Sequence, residues 1–408
     1  MALIVQKYGG SSVADADHIR NVATRITRAR EAGNDVVVVV SAMGDTTDDL
    51  ISLAQQLVER PDEREMDVLL STGEIVSSTL LAMTLKSMGC NALSLTGLQA
   101  GIHTDGIYSK AHITGIEPQR VVEELKKGNV VIVAGFQGVN PSMDTTTLGR
   151  GGSDTTAVAL AVSLGADVCE IYTDVEGVYS ADPRVVPEAV KLSKIGYEEM
   201  LELATYGAKV MAPRAVELGQ VYDMPILVAS SSSAAPGTLI CKEASMELRN
   251  KVSGIAHDTN VAKITVWAVP NHPGMAREIF VPLARANVSV DTIVQNVGGD
   301  DVTDVTFTVA RTDVVKAMSI VEPVARTIGA ARVSADETLG KVSIIGTGMQ
   351  NTPGYAERMF NALAESDINI ELITTSEIRI TCIVSESRLK DAVRALHRAF
   401  DVEFRQSE

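Results

Sequence analysis

Five consecutive valines, residues 36–40, constrain the fold of this 408-residue chain more than any other stretch. A run of β-branched residues without polar alternation predicts a strand that is buried on both faces, as in a parallel sheet. Hydrophobic residues make up 45% of the chain and aromatic residues only 4%, so we expect a core of Val, Leu, Ile and Ala. Together these features predict α/β architecture.

Length, charge and cysteine content set the broad class of the protein. A chain of 408 residues exceeds one ordinary core, so we expect two or three domains. The net charge of −16 argues against nonspecific binding to nucleic acid or to a membrane surface. Four widely spaced cysteines without metal-type spacing are typical of reduced thiols. No apolar run approaches membrane-spanning length and no signal peptide is evident, so we expect a cytoplasmic protein.

The N-terminal half has the pattern of alternating strands and helices. Apolar periodicity predicts strands at 2–6, 35–40, 91–95, 130–134 and 168–172, and helices at 18–32, 48–59, 65–87 and 155–164. The helix over 65–87 is expected to be interrupted at 71–74. Ligands in open α/β sheets collect at the carboxyl ends of strands, so the segments that follow these strands are candidate site loops.

A glycine-rich loop at residues 148–152 is the strongest of these candidates. Glycines let main-chain N–H groups converge on an anion, and Ser153 with Asp154 opens a helix whose N-terminus favours negative charge. Arg150 adds a planar fork that suits a carboxylate or a phosphate. The pattern predicts a phosphate site, and the alternative is a glycine turn with a capping Ser/Asp.

Two further segments carry charges where a ligand would need them. Lys7 lies at the end of the first strand beside Gly9 and Gly10, which predicts a second anion loop, although a glycine turn with a surface lysine has the same pattern. Glu74 lies at the expected helix break, where its carboxylate could meet an ammonium group. The alternative for Glu74 is a solvated helix residue.

Several segments then occur in an order and context that resemble the aspartate kinases, members of the amino-acid kinase superfamily. They are residues 7–12, 71–74, 135–138, 148–156, 173–179 and 182–184. The resemblance covers essentially the whole chain. It implies an αβα sandwich with a mostly parallel sheet over residues 1–245.

The resemblance also implies a reaction. The γ-phosphoryl group of ATP would pass, with Mg²⁺, to the side-chain carboxylate of L-aspartate, the first step towards lysine, threonine, methionine and diaminopimelate. The nucleophile is already an anion, so no general base is needed, and the task is to bring two anions together. The chain lacks the P-loop and protein-kinase catalytic-loop patterns, so phosphoryl transfer would use other parts.

Individual residues take roles from this resemblance. Lys7 resembles the lysine that neutralises the transferring phosphoryl group, and Asp154 resembles the carboxylate that organises the site. The residues that resemble the aspartate-binding set are Ser41, Thr47, Glu74, Arg150, Gly151, Gly152 and Ser153. Within this set Glu74 would take the α-ammonium group and Arg150 the α-carboxylate. The residues that resemble the nucleotide side are Lys7, Tyr8, Gly9, Gly10, Thr173, Asp174, Tyr179, Asp182, Arg184 and Lys209. Mg²⁺ would bridge the phosphates, with ligands that the sequence does not identify.

The second half contains an internal repeat. Residues 264–274 and 344–354 match at an offset of 80, and each copy has the pattern strand, Pro-Gly turn, amphipathic helix and strand. The pattern resembles ACT domains, which are ferredoxin-like βαββαβ modules, at residues 263–338 and 339–408. A strand at 252–258 from the linker would make the two modules interleaved. The alternative is a packing or dimerisation module without a ligand.

The ACT resemblance implies feedback regulation by threonine and/or lysine, in a homo-oligomer or an α2β2 assembly formed through these modules. The residues that resemble effector sites are Asn271, Gly274, Ala276, Gln295, Asn369, Ile370, Ser376 and Glu377. Two alternatives to the aspartate kinase hypothesis are a related kinase that acts on glutamate and an amino-acid sensor without catalytic activity. The simultaneous presence of Lys7 and Asp154 argues against the sensor.

Overall fold

A computed structural model describes residues 2–208, 210–242, 252–297, 301–350 and 352–405. Its described residues form two compact units. Residues up to 179 and from 191 to 242 form the first, and residues 180–190 and from 252 onwards form the second. Residues 180–190 lie within the expected first domain, 1–245, but fall in the second compact unit. They group with the second unit because Ala181, Val185 and Val186 are buried in a core of that unit.

The first unit contains two sheets and the helices around them. Its strands are β1 (Leu3–Tyr8), β2 (Asp35–Val40), β3 (Ala92–Leu95), β4 (Ile102–Thr104), β5 (Ile113–Ile116), β6 (Val130–Ala134), β7 (Gln137–Val139), β8 (Thr145–Thr147), β9 (Val168–Thr173), β10 (Lys194–Ile195), β11 (Ile226–Ser230) and β12 (Thr238–Ile240). Its helices are α1 (Ala16–Glu31), α2 (Thr46–Leu57), α3 (Glu63–Ser87), α4 (Gln119–Lys126), α5 (Gly152–Leu164), α6 (Tyr197–Thr205) and α7 (Pro213–Tyr222).

The larger sheet has the order β10-β12-β11-β9-β1-β2-β6-β3, and its pairs from β11 to β3 are parallel. All five valines of β2 are buried. Val36, Val38 and Val40 lie in a core with α1 and α3, while Val37 and Val39 point to the opposite face, where α5 contacts β2. The sheet is thus covered on both faces, and the predicted αβα sandwich is confirmed. The smaller sheet has the order β5-β4-β7-β8.

Helix α3 is continuous from Glu63 to Ser87, so the expected break at residues 71–74 is wrong. Gly73 allows close packing there, since a Cβ at this position would lie 2.7 Å from the Ala42 Cβ. Among the described residues, α3 is also long and apolar enough to span a membrane by length and composition alone. The expectation that no stretch reaches this length therefore does not hold for α3, half of whose apolar window is buried in the unit.

The second unit contains two antiparallel sheets. Its strands are β13 (Gly254–Asp258), β14 (Ala262–Pro270), β15 (Val290–Val297), β16 (Val302–Val309), β17 (Arg332–Asp336), β18 (Leu339–Ile345), β19 (Leu372–Thr375) and β20 (Arg379–Ser385). Its helices are α8 (Met275–Arg285), α9 (Val314–Ile328), α10 (Tyr355–Glu365) and α11 (Leu389–Arg405). The sheet orders are β15-β16-β14-β17 and β13-β18-β20-β19.

Each sheet with its two helices forms one ferredoxin-like module. The first has β14, α8, β15, β16, α9 and β17 in chain order, whereas the second takes β13 from the linker, paired antiparallel with β18. The repeat is visible in the backbone, because Gly274 and Gly354 cap α8 and α10 with the same left-handed φ of 105°. Only glycine adopts this conformation readily, so both copies keep it at the same point.

Candidate active site

A buried ion pair joins the first strand to the glycine loop. The Lys7 Nζ lies 2.6 Å from the Asp154 Oδ1, and the two side chains are 11% and 10% exposed. Lys7 is the last residue but one of β1, which ends at Tyr8, so it lies at the carboxyl end of the strand as expected. Asp154 lies in the first turn of α5, where its Oδ2 also accepts a hydrogen bond from the Ala212 N–H at 3.2 Å. The pair brings a cation to a helix N-terminus at the carboxyl edge of the sheet.

Glycines let the neighbouring loops pack closely around this pair. A Cβ on Gly10 would lie 2.9 Å from the carbonyl oxygens of Ala42 and Gly44, so the loops after β1 and β2 are in contact. A Cβ on Gly135, after β6, would lie 2.9 Å from the Ser153 Oγ. Gly9 lies beside Lys7, since its Cβ would be 3.4 Å from the lysine Nζ. The ends of three parallel strands therefore meet at the start of α5.

The start of α5 keeps the features of an anion site. Its N-cap is Gly151, in the left-handed region at φ 73°, and no side chain caps the helix. Gly152 and Ser153 follow within the first turn and are buried. Ser12, at the end of the loop after β1, has a buried Oγ with no hydrogen-bond partner among the described residues. A buried hydroxyl without a hydrogen-bond partner is unfavourable, and a phosphate oxygen could accept a hydrogen bond from the Ser12 hydroxyl.

Glu74 is buried in α3, so the alternative of a solvated glutamate is wrong. Its Oε1 accepts a hydrogen bond from the Ala42 N–H at 3.1 Å, and its Oε2 has no partner among the described residues. Burial raises the pKa of Glu74 to about 7, although the hydrogen bond from Ala42 opposes the rise. Ser77, one turn further along α3, donates to the Ser41 carbonyl at 2.8 Å. Glu74 therefore faces the loop after β2 with an unsatisfied charge that a ligand cation would balance.

Arg150 is not part of the buried group. Its side chain is 97% exposed, and its Nη2 lies 3.8 Å from the Asp48 Oδ1 in the first turn of α2. Thr47, the residue before Asp48, lies in the same turn. Arg150 thus reaches the neighbourhood of Thr47, but the described contacts do not join its guanidinium to Lys7 or Glu74.

Tyr8 does not belong to the site as a side chain, which corrects the assignment from the resemblance. Successive strand residues point to opposite faces, so Tyr8 points away from Lys7. Its ring is fully buried, stacks on Tyr172 at 5.0 Å between centroids, and its hydroxyl lies 3.1 Å from the Gln6 Oε1. Only the main chain of Tyr8 remains available to a nucleotide.

The other six expected nucleotide residues fall into three groups. Thr173 ends β9 and donates to the Asp174 Oδ1 at 3.0 Å, and Tyr179 lies in the same unit, with its pKa raised by burial and by Glu176. Asp182 and Arg184 lie in the second unit, where the Arg184 Nη2 is 2.8 Å from the Asp182 Oδ2. That guanidinium holds the pKa of Asp182 below its usual value. Lys209 lies outside the described residues.

The expected effector residues lie at the surface of the second unit. Asn271, Gly274 and Ala276 surround the start of α8, and Gln295 is on the edge strand β15 of the same module. The others belong to the second module and are Asn369, Ile370, Ser376 and Glu377. Ile370 is half-buried, and the other seven are exposed.

Two side chains that the sequence did not single out support the glycine loop. Asp67, fully buried in α3, accepts hydrogen bonds from Ser109 and Thr147. Arg214, in α7, donates to the Leu148 carbonyl at 2.8 Å. The spacing of Asp67 and Glu74, about two helical turns, would have suggested one buried polar face had α3 been treated as continuous.

Models of known families match both units. Residues 2–230 match the amino acid kinase family, and residues 263–326 and 342–400 each match an ACT domain. The fold and the site therefore define a phosphotransferase of the amino acid kinase family, joined to two ACT domains.

Relatives make the assignment narrower. An aspartokinase of Mycolicibacterium smegmatis is 51% identical over 406 residues, covering 98% of this chain and 96% of that protein. One of Pseudomonas aeruginosa is 52% identical over 406 residues, covering 99% of this chain and 98% of that protein. The chain belongs to the aspartokinase family, and the resemblance found in the sequence is confirmed.

Solved structures agree with this assignment. E. coli aspartokinase III in complex with aspartate and ADP, in the R-state, has a TM-score of 0.82 and 26% identity, with coverage of 97% of this chain and 99% of that chain. The same enzyme in complex with lysine and aspartate, in the T-state, has a TM-score of 0.74 and 26% identity, with coverage of 98% and 99%.

Proposed function

We propose that this chain transfers the γ-phosphoryl group of ATP to the β-carboxylate of L-aspartate, giving 4-phospho-L-aspartate and ADP. The observation that carries the proposal is the buried Lys7–Asp154 pair at the start of α5. Both substrates are anions, and a desolvated cation beside a helix N-terminus lowers the cost of bringing them together. The aspartate and ADP bound to E. coli aspartokinase III support this choice of substrates.

Two side chains orient the amino acid in this proposal. Glu74, with its unsatisfied Oε2, takes the α-ammonium group, because that group supplies both a positive charge and hydrogen-bond donors. Arg150 takes the α-carboxylate, since its guanidinium is exposed and its 3.8 Å pair with Asp48 leaves it able to turn towards a ligand. The β-carboxylate is then left to attack the phosphorus atom, and no proton has to be removed.

Mg²⁺ would assist by neutralising phosphate charge. Within the described residues, no group of three His, Cys, Asp or Glu side chains is placed to hold a metal. Mg²⁺ commonly takes one or two protein carboxylates and completes its ligands with phosphate oxygens and water. Asp154 is a buried carboxylate at the proposed phosphate site and fits the role of such a ligand.

A hydroxylamine assay tests the reaction. ATP, Mg²⁺, aspartate and hydroxylamine should give the aspartyl hydroxamate, because hydroxylamine traps an acyl phosphate. Glutamate in place of aspartate is the matched control, and a higher rate with glutamate would favour the alternative acceptor. If no more hydroxamate forms than in a control without enzyme, the kinase reaction is contradicted and the hypothesis of an amino-acid sensor is favoured.

We further propose that threonine and/or lysine inhibits the enzyme through the ACT modules, in a cytoplasmic homo-oligomer or α2β2 assembly. The lysine bound to E. coli aspartokinase III in its T-state supports an amino-acid effector. Rates with threonine and lysine, singly and combined, test the regulation. An effector acts only through different affinities for two states, so unchanged rates under all three conditions would contradict it.

A further inference from the structure

Asp67 is a buried carboxylate whose hydrogen bonds join two separate segments of the first unit. Its Oδ2 accepts from the Ser109 N–H at 2.9 Å and from the Thr147 N–H at 3.0 Å. Its Oδ1 accepts from the Thr147 hydroxyl at 2.6 Å and from the Ser109 N–H at 3.1 Å. The side chain is fully buried. A buried charge persists only when donors replace water, and these main-chain and hydroxyl donors do so.

Arg214 joins the same two segments through their carbonyl groups. Its Nη1 donates to the Leu148 O at 2.8 Å, and its Nη2 donates to the Ala111 O at 3.0 Å. Between these contacts, the Ala111 N–H donates to the Thr147 O at 2.9 Å. Residues 109–111 and 147–148 are thus held together by a carboxylate that binds their N–H groups and a guanidinium that binds their carbonyls.

These contacts act where the glycine loop begins. Gly149 has φ 77°, and the Ser109 carbonyl oxygen would lie 3.1 Å from a Cβ at that position. Ser109 itself has φ 65°, a left-handed conformation that costs a non-glycine residue about 1–2 kcal/mol. Asp67 accepts hydrogen bonds from the main-chain N–H of this strained residue. Asp67 therefore fixes the position of Ser109, the residue against which the glycine loop packs at Gly149.

We infer that Asp67 and Arg214 are positioning residues for phosphoryl transfer, which hold residues 148–152 in the shape that the aspartate site requires. The inference rests on the proposed function. Asp67 acts through the loop, since its own acceptors are occupied by protein donors. Arg150 lies two residues beyond Leu148, so a displaced loop misplaces the group that binds the α-carboxylate.

Kinetics of Asp67→Asn and Arg214→Lys give the first test. Asn presents an amide N–H to donors, and Lys cannot reach both carbonyls with a planar fork. We expect kcat/KM for aspartate to fall about 10- to 100-fold, as for a small misplacement of binding groups, mainly through KM for aspartate. The KM for ATP should stay within about twofold. A loss of folded protein alone would lower kcat and leave both KM values unchanged.

Milder variants test the same contacts in case Asp67→Asn does not fold. Thr147→Val removes the hydroxyl donor to Asp67, while Thr147→Ser keeps it, so the first should show the kinetic change and the second should not. Asp144→Asn is the matched control, because Asp144 binds Arg64 and Tyr108 in the same part of the unit, and no described hydrogen bond of its side chain reaches residues 148–152. Should Asp67→Asn fail to fold, the pair of Thr147 variants decides.

Amide hydrogen exchange gives a readout that does not depend on activity. Without substrates, Asp67→Asn and Thr147→Val should speed exchange in peptides that cover residues 148–152, and Asp144→Asn should not. A parent protein that forms no hydroxamate would count against the proposed function, while exchange would still report on the loop. Unchanged exchange at 148–152 would overturn the inference, as would faster exchange with an unchanged KM for aspartate.

Discussion

Two buried carboxylates lie about two turns apart on α3 and differ in how they are satisfied. Asp67 receives hydrogen bonds from two main-chain amides and a hydroxyl, whereas Glu74 receives one, from Ala42. The Glu74 Oε2 has no partner among the described residues, and burial raises the pKa of this group to about 7. The comparison shows that burial alone does not identify a binding residue. The carboxylate without a partner fits the proposed role of Glu74 in binding a ligand cation, while the satisfied one fits a supporting role.

A third buried carboxylate, Asp154, has its cation within the protein, and removing that cation should have the largest effect. Lys7→Ala should lower kcat about 100- to 1,000-fold, because the lysine charge acts on the transferring phosphoryl group. The KM for aspartate should change little. Initial rates at saturating ATP over a range of aspartate concentrations measure both. A raised KM with unchanged kcat would mean that Lys7 binds the amino acid instead.

Glu74→Gln should have the next largest effect, on aspartate binding. Loss of the charged partner of the α-ammonium group is expected to raise KM for aspartate about 30- to 100-fold, which corresponds to a charge-assisted hydrogen bond of about 2–3 kcal/mol. Glu63→Gln is the control, because Glu63 is an exposed residue in the first turn of the same helix. Equal KM values for the two variants would contradict the assignment of Glu74.

Substituting the two carboxylates should change the free energy of unfolding in opposite directions. Asp67→Asn leaves buried donors poorly matched and should destabilise the protein by about 2 kcal/mol. The folded pKa of Glu74 is raised above 4.5, so its stabilising contribution is present below about pH 4.5 and is lost as pH rises through about 7. Glu74→Gln should therefore be about 2–3 kcal/mol more stable than the parent at about pH 8, and equal to it at about pH 4.5.

Urea denaturation of the two variants and the parent at both pH values measures this contrast. Destabilisation by Glu74→Gln at about pH 8 would show that its carboxylate is satisfied in solution, and the distinction from Asp67 would fail.

The smallest expected effect is the pH dependence of aspartate binding. With a pKa of about 7, Glu74 is mostly ionised at about pH 8 and mostly protonated at about pH 6, so KM for aspartate should be about tenfold higher at the lower pH. Glu74→Gln should remove this dependence. If KM for aspartate of the parent protein does not change between about pH 6 and about pH 8, the pKa of Glu74 lies outside this range.

Local patterns in the sequence were sufficient for the architecture. The valines of β2 predicted a doubly covered strand, and the residue range of that strand, Asp35–Val40, is the predicted one. The offset of 80 predicted two similar modules, and Gly274 and Gly354 begin equivalent helices. Such features depend on neighbouring residues and on the period of the apolar positions, which the sequence contains directly.

Only the tertiary structure decided which charged groups meet and which are buried. Glycine at position 73 suggested a helix break, but in the fold it is the point where α3 packs on Ala42, and this packing is what buries Glu74. Likewise Lys7 lies beside Asp154, and Tyr8 packs in the core on the opposite face of the sheet, because β1 continues to Tyr8, two residues beyond the end that its apolar pattern indicated. The partner of a side chain and its loss of water depend on segments far apart in the chain, and no local pattern records them.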